Sequence, residues 1–534
     1  MLQYLMIDPS CERLLVRGVN WIGDGVMTLP ALKALRNELS RTNISLLVKP
    51  WLSGVFENNP DIDSIILYAD THKGLTGKVK LSATLRREHF CGAILFQNAF
   101  DAAMLTFLSG IKDRFGYNRD GRGFLLTSAV SVPHEKTHQI YYYLNLLRKI
   151  GMKAEYSYPY IYLLLDERLQ ARKRLEGMKK PILGINPGAT YGSAKRWFPE
   201  RFAEVATWFM ADTGGSIIIF GGNAEVDIAD EIYKLIIPEF RKPDTLLNAA
   251  GQTTVRELIS LISECDVFLT NDSGPLHIAY ATRTPMVAIF GSTDPELTGP
   301  PPDDKSSNTV VIAPDIPCSP CFHRSCKRND MQCMYAVASD EVYYGIKKIL
   351  PDVPAVFFDR DGTICQDTGY INNMKDLNIF TDIDSLKLLK EQGFKLIGAS
   401  NQSGIARGLI DEKFVQEANS LFTNQYGFHD FYYCPHHPDE HCVCRKPEPE
   451  MLLRARSSHR INLKKSFVVG DKETDMLLAK SVGAKAVLVQ TGKLQESEHA
   501  DYTAANLTDA VKWILKSTQD SPLIRGIKNK KFEA

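Results

Sequence analysis

Asp359 and Asp361 stand two positions apart, directly behind the apolar run Ala355-Val-Phe-Phe358. Two carboxylates roughly 4 Å apart repel by about 4 kcal/mol at an effective dielectric of 20, so the pair needs a cation beside it. An oxygen-rich site of this kind suits Mg²⁺. The same pattern, polar residues behind a short apolar run, recurs downstream. KLIGAS ends at Ser400 and Asn401, a hydroxyl and an amide able to hold phosphoryl oxygens, and SFVVG ends at Asp471, with Asp475 four residues on. Between them lies the paired cation Arg445-Lys446. In order, these residues supply a nucleophilic carboxylate, a hydroxyl and a lysine for phosphate, and a further acid for a metal. An acidic turn after a strand would account for Asp359 and Asp361 alone, but not for the ordered set.

Cys434, His436, Cys442 and Cys444 make a Cys₃His set, the ligand chemistry of a closed tetrahedral zinc site. His437 and His441 compete for the histidine position. Because the set immediately precedes Arg445-Lys446, zinc there would brace the loop carrying the phosphate cations. Cys318, Cys321, Cys326 and Cys333 are also spaced for zinc, and equally for reduced structural thiols.

The first half of the chain carries three polar turns of its own. RLLVRG leads into Asn20-Trp-Ile-Gly-Asp-Gly-Val26, where Gly23 and Gly25 free the turn around Asp24. PILGINPG leads into Thr190, Ser193, Lys195 and Arg196. VFLTN leads into Asp272-Ser-Gly-Pro-Leu-His277 at a predicted helix start, whose free N–H groups and dipole suit a pyrophosphate. Read singly, each turn is as well explained by a capped helix or a solvated loop. No G-x-G-x-x-G follows the first strand, which removes the main support for a dinucleotide-dependent oxidoreductase.

Holding these residues requires strands that end where they begin. Continuous apolar runs alternating with helix-period segments predict parallel strands buried on both faces, hence an α/β protein whose ligands sit at the carboxyl edges of its sheets. Three units follow: 1–175, ending in the charged segment LDERLQARKR; 176–350; and 351–518, after the Pro351-Asp-Val-Pro354 junction. Residues 519–534 read as a solvated tail.

A chain of 534 residues exceeds what one core supports. Lys+Arg and Asp+Glu both number 63, so no net field draws it to nucleic acid. Neither a signal peptide nor a run of roughly 20 apolar residues is evident, which leads us to expect a reducing cytoplasm and thiols free or metal-bound.

The ordered set in residues 351–518 resembles the haloacid dehalogenase-like phosphatases. Asn401-Gln-Ser-Gly-Ile-Ala-Arg-Gly408 and Gly470-Asp-Lys472 look like the heptose-bisphosphate phosphatases within that superfamily, whereas the short gap between His436 and Cys442 looks more like the histidinol-phosphate enzymes. The resemblance implies Asp359 as nucleophile and Asp361 as acid and base. It implies Ser400, Asn401, Arg445 and Lys446 around phosphate, and Mg²⁺ on Asp359, Asp471 and the backbone carbonyl of Asp361, with Asp475 in support of Lys446 or of a metal-bound water. The segment between Asp361 and Ser400 leaves no room for a large cap.

The turns at Asn20-Trp-Ile-Gly-Asp24, Pro187-Gly-Ala189 through Trp197, and Asn271-Asp-Ser-Gly through His277 together resemble the ADP-heptose lipopolysaccharide heptosyltransferases, particularly those adding the second heptose. That resemblance implies two Rossmann-like lobes (GT-B). It also implies Asp24 as base on the acceptor hydroxyl, Lys195 on the departing ADP phosphates, and Thr190, Ser193, Asp272, Ser273, Gly274 and His277 around the donor. The expected partners are ADP-heptose, a lipid A-core acceptor and heptose 1,7-bisphosphate, with peripheral contact at the inner membrane. The alternative is a transferase of other specificity joined to a histidinol-phosphate or general sugar phosphatase.

Overall fold

The runs Gly92–Leu95, Ile182–Asn186 and Ala355–Phe358 are buried at every position. A strand apolar on both faces must be covered on both, and parallel crossovers achieve this by placing helices above and below the sheet. The computed structural model, which describes Ile7, 11–301 and 308–519, carries three parallel sheets built in this way. The first holds β1 (Arg13–Arg17), β2 (Asn43–Val48), β3 (Ser64–Leu67), β4 (Gly92–Leu95), β5 (Asp113–Tyr117) and β6 (Ser128–Val130). The second holds β7 (Ile182–Asn186), β8 (Ser216–Ile219), β9 (Leu246–Asn248), β10 (Val267–Asn271), β11 (Met286–Ile289) and β12 (Thr309–Ile312). The third holds β13 (Ala355–Phe358), β14 (Lys395–Asn401), β15 (Asp430–Cys434), β16 (Phe467–Gly470), β17 (Lys485–Val489) and β18 (Tyr502–Ala504).

All three sheets share one spatial order: third, second, first, fourth, fifth, sixth strand. The chain works outward from the first strand, returns, and works outward the other way from the fourth. A crevice opens at the carboxyl ends of those two neighbours, the place where open α/β sheets bind ligands. The crevices therefore lie after β1 and β4, after β7 and β10, and after β13 and β16. In the third sheet Phe358 lies opposite Gly398 of β14 and Val469 of β16, so Asp359, Ser400 and Asp471 emerge at one edge.

The chain divides into two compact units, the first ending at Ile349 and the second taking up at Leu350. The first contains two sheets, linked through the helix Leu165–Arg174 formed by the charged segment. Its halves are pinned together where Tyr158 donates to the Tyr280 carbonyl at 2.6 Å and His138 Nε2 meets the Gly299 carbonyl at 2.8 Å. The second unit has no large cap between Asp361 and Ser400; the segment there forms short 3₁₀ turns and the five-residue helix Lys387–Glu391 ahead of β14.

Cys11 and Cys91, just ahead of β1 and β4, form a disulfide with Cα atoms 5.7 Å apart. This departs from the expectation of reduced thiols, and a separation of 80 residues gives no spacing signal. The other nine cysteines are free. Among the described residues no helix is long and apolar enough to cross a membrane. The expected tail lies, beyond Gln519, outside the described residues.

Two candidate active sites and a candidate metal centre

In the first unit, helix Ile22–Glu38 starts directly after β1 and helix Gly274–Ala281 directly after β10. Their first turns meet at glycine: a Cβ on Gly23 would lie 2.6 Å from His277, and one on Gly274 would lie 3.0 Å from Ile22. This approach sets Asp24 facing Asp272, Ser273 and His277 around a cavity of about 550 Å³. Thr190, Lys195 and Gly274 share the wall, with the indoles of Trp21 and Trp51. Ser193, expected at the donor, is exposed and does not line this cavity. It lies on the solvent side of the short 3₁₀ turn that directs Lys195 inward.

Lys195 Nζ donates to Asp272 Oδ2 at 2.5 Å, and the same oxygen accepts from Thr293 Oγ1 at 2.6 Å. The ammonium also lies over the Tyr191 ring, 4.6 Å from its centroid. Asn186 Nδ2 donates to Ser273 Oγ at 3.2 Å, orienting the hydroxyl at the mouth of the helix. Burial pushes the Asp24 carboxyl up to about 6, with Lys195 pulling down and Asp272 pushing up. Burial likewise holds His277 down at about 4, so it is a neutral imidazole at ordinary pH. Thr293 belongs to no motif in the sequence; it stands four residues beyond the end of β11, whereas Asp272 directly follows β10.

In the second unit, Asp359 follows β13 and is almost fully buried. Burial pushes its carboxyl up, but Lys446 and Lys472 outweigh that and hold it at about 2. Its Oδ1 meets Lys446 Nζ at 3.0 Å and accepts the Arg360 N–H at 2.8 Å. Lys446 Nζ lies 2.6 Å from Asp475 Oδ1 and donates to the Ala399 carbonyl at 2.9 Å. Asp475 is thus the counter-ion of Lys446, and burial raises it to about 6. Ser400 Oγ accepts from Gln402 Nε2 at 2.8 Å. Asn401, expected at phosphate, is occupied otherwise: both ends of its amide bond the backbone of Lys446, at 3.0 and 3.3 Å, so it places the lysine. Arg445 has a buried Nη1 without a hydrogen-bond partner.

Asp361 is held by Arg360 and by Gln402, an amide of the segment that follows Ser400. Arg360 reaches both of its oxygens at 3.0 Å, and Gln402 Nε2 donates to Oδ2 at 2.8 Å. Gln402 Oε1 in turn accepts from Arg360 at 3.0 Å. Arg360 lies between the two aspartates in sequence, where it reads as a spacer.

The metal expected here is Mg²⁺. Carboxylate oxygens of the buried Asp359, Asp471 and Asp475 lie within 4.8 Å of one another. Hard oxygen donors gathered so closely fit such an ion. Zinc fits the second cluster. Cys434 and Cys442 Sγ are 3.4 Å apart, His436 Nδ1 and Cys444 Sγ 3.2 Å, Cys434 Sγ and His436 Nδ1 3.6 Å, and Cys442 and Cys444 Sγ 3.7 Å. A tetrahedron with Zn–S of about 2.3 Å has edges of roughly 3.8 Å, so the cage has the right size. His437 instead caps the turn at Asp439, and neither it nor His441 joins the group. Among the described residues, Cys318, Cys321, Cys326 and Cys333 do not converge into such a set.

Residues 78–332 match glycosyltransferase family 9 (heptosyltransferase), and residues 443–512 match the HAD-hydrolase-like family. Lipooligosaccharide heptosyltransferase 2 of Campylobacter jejuni subsp. jejuni serotype O:6 is 31% identical over 335 residues, 62% of this chain and 96% of that protein. The D-glycero-β-D-manno-heptose-1,7-bisphosphate 7-phosphatase of Photorhabdus laumondii subsp. laumondii is 42% identical over 192 residues, 33% of this chain and 97% of that one. The structure of Escherichia coli ADP-heptose lps heptosyltransferase II aligns with a TM-score of 0.54 at 23% identity, over 63% of this chain and 97% of that one, a likeness of fold.

Proposed function

Since the chain belongs to the family 9 heptosyltransferases through its first two sheets and to the heptose-bisphosphate phosphatases of the haloacid dehalogenase type through its third, it is a bifunctional enzyme of lipopolysaccharide core assembly, and we propose how its residues divide that work. Residues 1–175 serve as acceptor lobe, 176–350 as donor lobe and 351–518 as phosphatase.

In the transferase, Asp24 takes the proton of the acceptor hydroxyl as its oxygen attacks the anomeric carbon of ADP-heptose. The bond to ADP breaks with inversion, and Lys195 receives the charge that collects on the departing phosphate. Asp272 and Thr293 hold the ammonium in place, and Ser273, Gly274 and neutral His277 line the pyrophosphate end with Thr190. The supporting observation is that Asp24 shares one cavity with the Lys195–Asp272 pair.

In the phosphatase, Asp359 attacks phosphorus and forms an aspartyl-phosphate. Asp361 gives its proton to the leaving alkoxide, then takes one from the water that hydrolyses the acyl-phosphate. Lys446, Ser400 and Arg445 hold phosphate oxygens. Asp359, Asp471 and the Asp361 carbonyl would hold Mg²⁺, which when bound neutralises charge on the transferring group. Zinc on Cys434, His436, Cys442 and Cys444 would fix the loop that delivers Arg445 and Lys446. The observation that carries this reading is Lys446 Nζ lodged between Asp359 and Asp475.

The proposed substrate is heptose 1,7-bisphosphate. The short loop between His436 and Cys442 makes histidinol phosphate the competitor to test. Phosphate release from each, in the presence of Mg²⁺, decides between them: faster release from histidinol phosphate would move the phosphatase out of heptose metabolism. The lipid acceptor places the first unit at a membrane surface in this reading. Leu75 and Val79, one turn apart and 77% and 54% exposed beside Lys78 and Lys80, are suited to that contact.

A further inference from the structure

Lys472 directly follows Asp471, and its side chain turns back into the crevice. Nζ lies 3.4 Å from Asp359 Oδ2, 3.3 Å from the Asp361 carbonyl oxygen and 3.3 Å from Asp471 Oδ1. These are the three groups that would hold Mg²⁺, so an ammonium sits over the face where their oxygens converge. Lys446 cannot substitute for it, because that ammonium is directed at the other Asp359 oxygen and at Asp475. Among the described residues, Lys472 is the one cationic side chain paired with Asp471.

We propose that Lys472 is a built-in counter-cation that occupies the divalent-ion position, so that metal binding here is an exchange of one cation for another. The proposal rests on the reading of these oxygens as the magnesium ligands. An ion bound at about 2.0–2.1 Å to the same oxygens leaves no space for an ammonium beside them, and the like charges repel. The lysine must therefore withdraw. Its backbone stays fixed, since its N–H donates to Asp475 Oδ2 at 3.2 Å at the start of helix Glu473–Val482. The side chain has somewhere to go: Asp367 Oδ2 lies 3.9 Å from Nζ, already paired with Lys493 at 3.1 Å. In the metal-free protein the lysine keeps Asp359 and Asp471 from repelling each other; in the metal-bound protein the ion takes over and Asp367 receives the ammonium.

The test is Mg²⁺ affinity of the full chain, freed of magnesium by dialysis with zinc retained, measured by titration calorimetry alongside melting temperature. Lys472→Met should melt lower than wild type without Mg²⁺, gain more from its addition, and bind Mg²⁺ about tenfold more tightly because no resident cation competes. Asp367→Asn should bind Mg²⁺ several-fold more weakly, and in the Lys472→Met background should have no further effect, which separates the exchange from a general loss of negative charge. Should Lys472→Met fail to fold, Asp367→Asn decides alone: unchanged or tighter binding overturns the exchange. Equal or weaker Mg²⁺ binding by Lys472→Met overturns the exchange but leaves the metal site standing. No Mg²⁺ binding by wild type overturns both.

Discussion

In its proposed role as base Asp24 has to be ionised before it takes a proton, and burial lifts it to about 6. The transferase rate, followed as ADP release, should therefore decline as the pH falls through about 6 and level off above it. Asp24→Asn should lower turnover by about 10²–10⁴-fold and remove that acid limb; full activity in this variant would contradict its role as base. On the phosphatase side, Gln402 donates to both Asp361 and Ser400. Gln402→Ala should lower kcat by about tenfold, the loss of a hydrogen bond to a charged group, with KM little changed. That Asp24 and Lys195 gather at one crevice and Asp359, Lys446 and Asp471 at another was legible, because each stands behind an apolar run or in an ordered set. Arg360, Gln402, Thr293 and Lys472 were not, because their contribution lies in side-chain contacts that linear spacing does not encode. Ser193 and Asn401 show the converse: a polar residue in a motif can face solvent or hold the backbone of a neighbour.

The elements explain why residues so far apart in sequence converge. Every crevice lies between the first and fourth strands of its sheet, so a polar residue after either strand reaches a site without any further device. Apolar runs and their helix-period partners made the strands readable; the pairing order came only from the structure, since it depends on long-range register. Two elements can be tested directly. A methyl group at Gly23 would lie 2.6 Å from His277, so Gly23→Ala should cost about 1–3 kcal/mol in the first unit and slow the transferase, leaving the phosphatase untouched. Cys442→Ser should reduce bound zinc and lower phosphatase activity by loosening the loop ahead of Lys446; full zinc occupancy would exclude Cys442 from the cage. The Cys318–Cys333 segment had ligand spacing yet does not converge, which shows that cysteine spacing permits a site without building one.

At the scale of the molecule, each site is assembled within one compact unit: the first from residues up to Thr298 and Phe322, the second from residues after Leu350. The two reactions are not consecutive. Removal of the 7-phosphate leaves a sugar 1-phosphate, whereas the donor carries ADP at the anomeric carbon, so a nucleotidyl transfer must intervene. Inactivating one site should therefore leave the other at its own rate. The most direct measurement is phosphate release from heptose 1,7-bisphosphate by wild type and Asp359→Asn, with ADP release from ADP-heptose and acceptor followed in the same preparations. The expected result is a loss of phosphate release of about 10³-fold or more in the variant, because its carboxamide cannot form the aspartyl-phosphate, with ADP release unchanged. Wild-type phosphate release by Asp359→Asn would contradict the account at its centre.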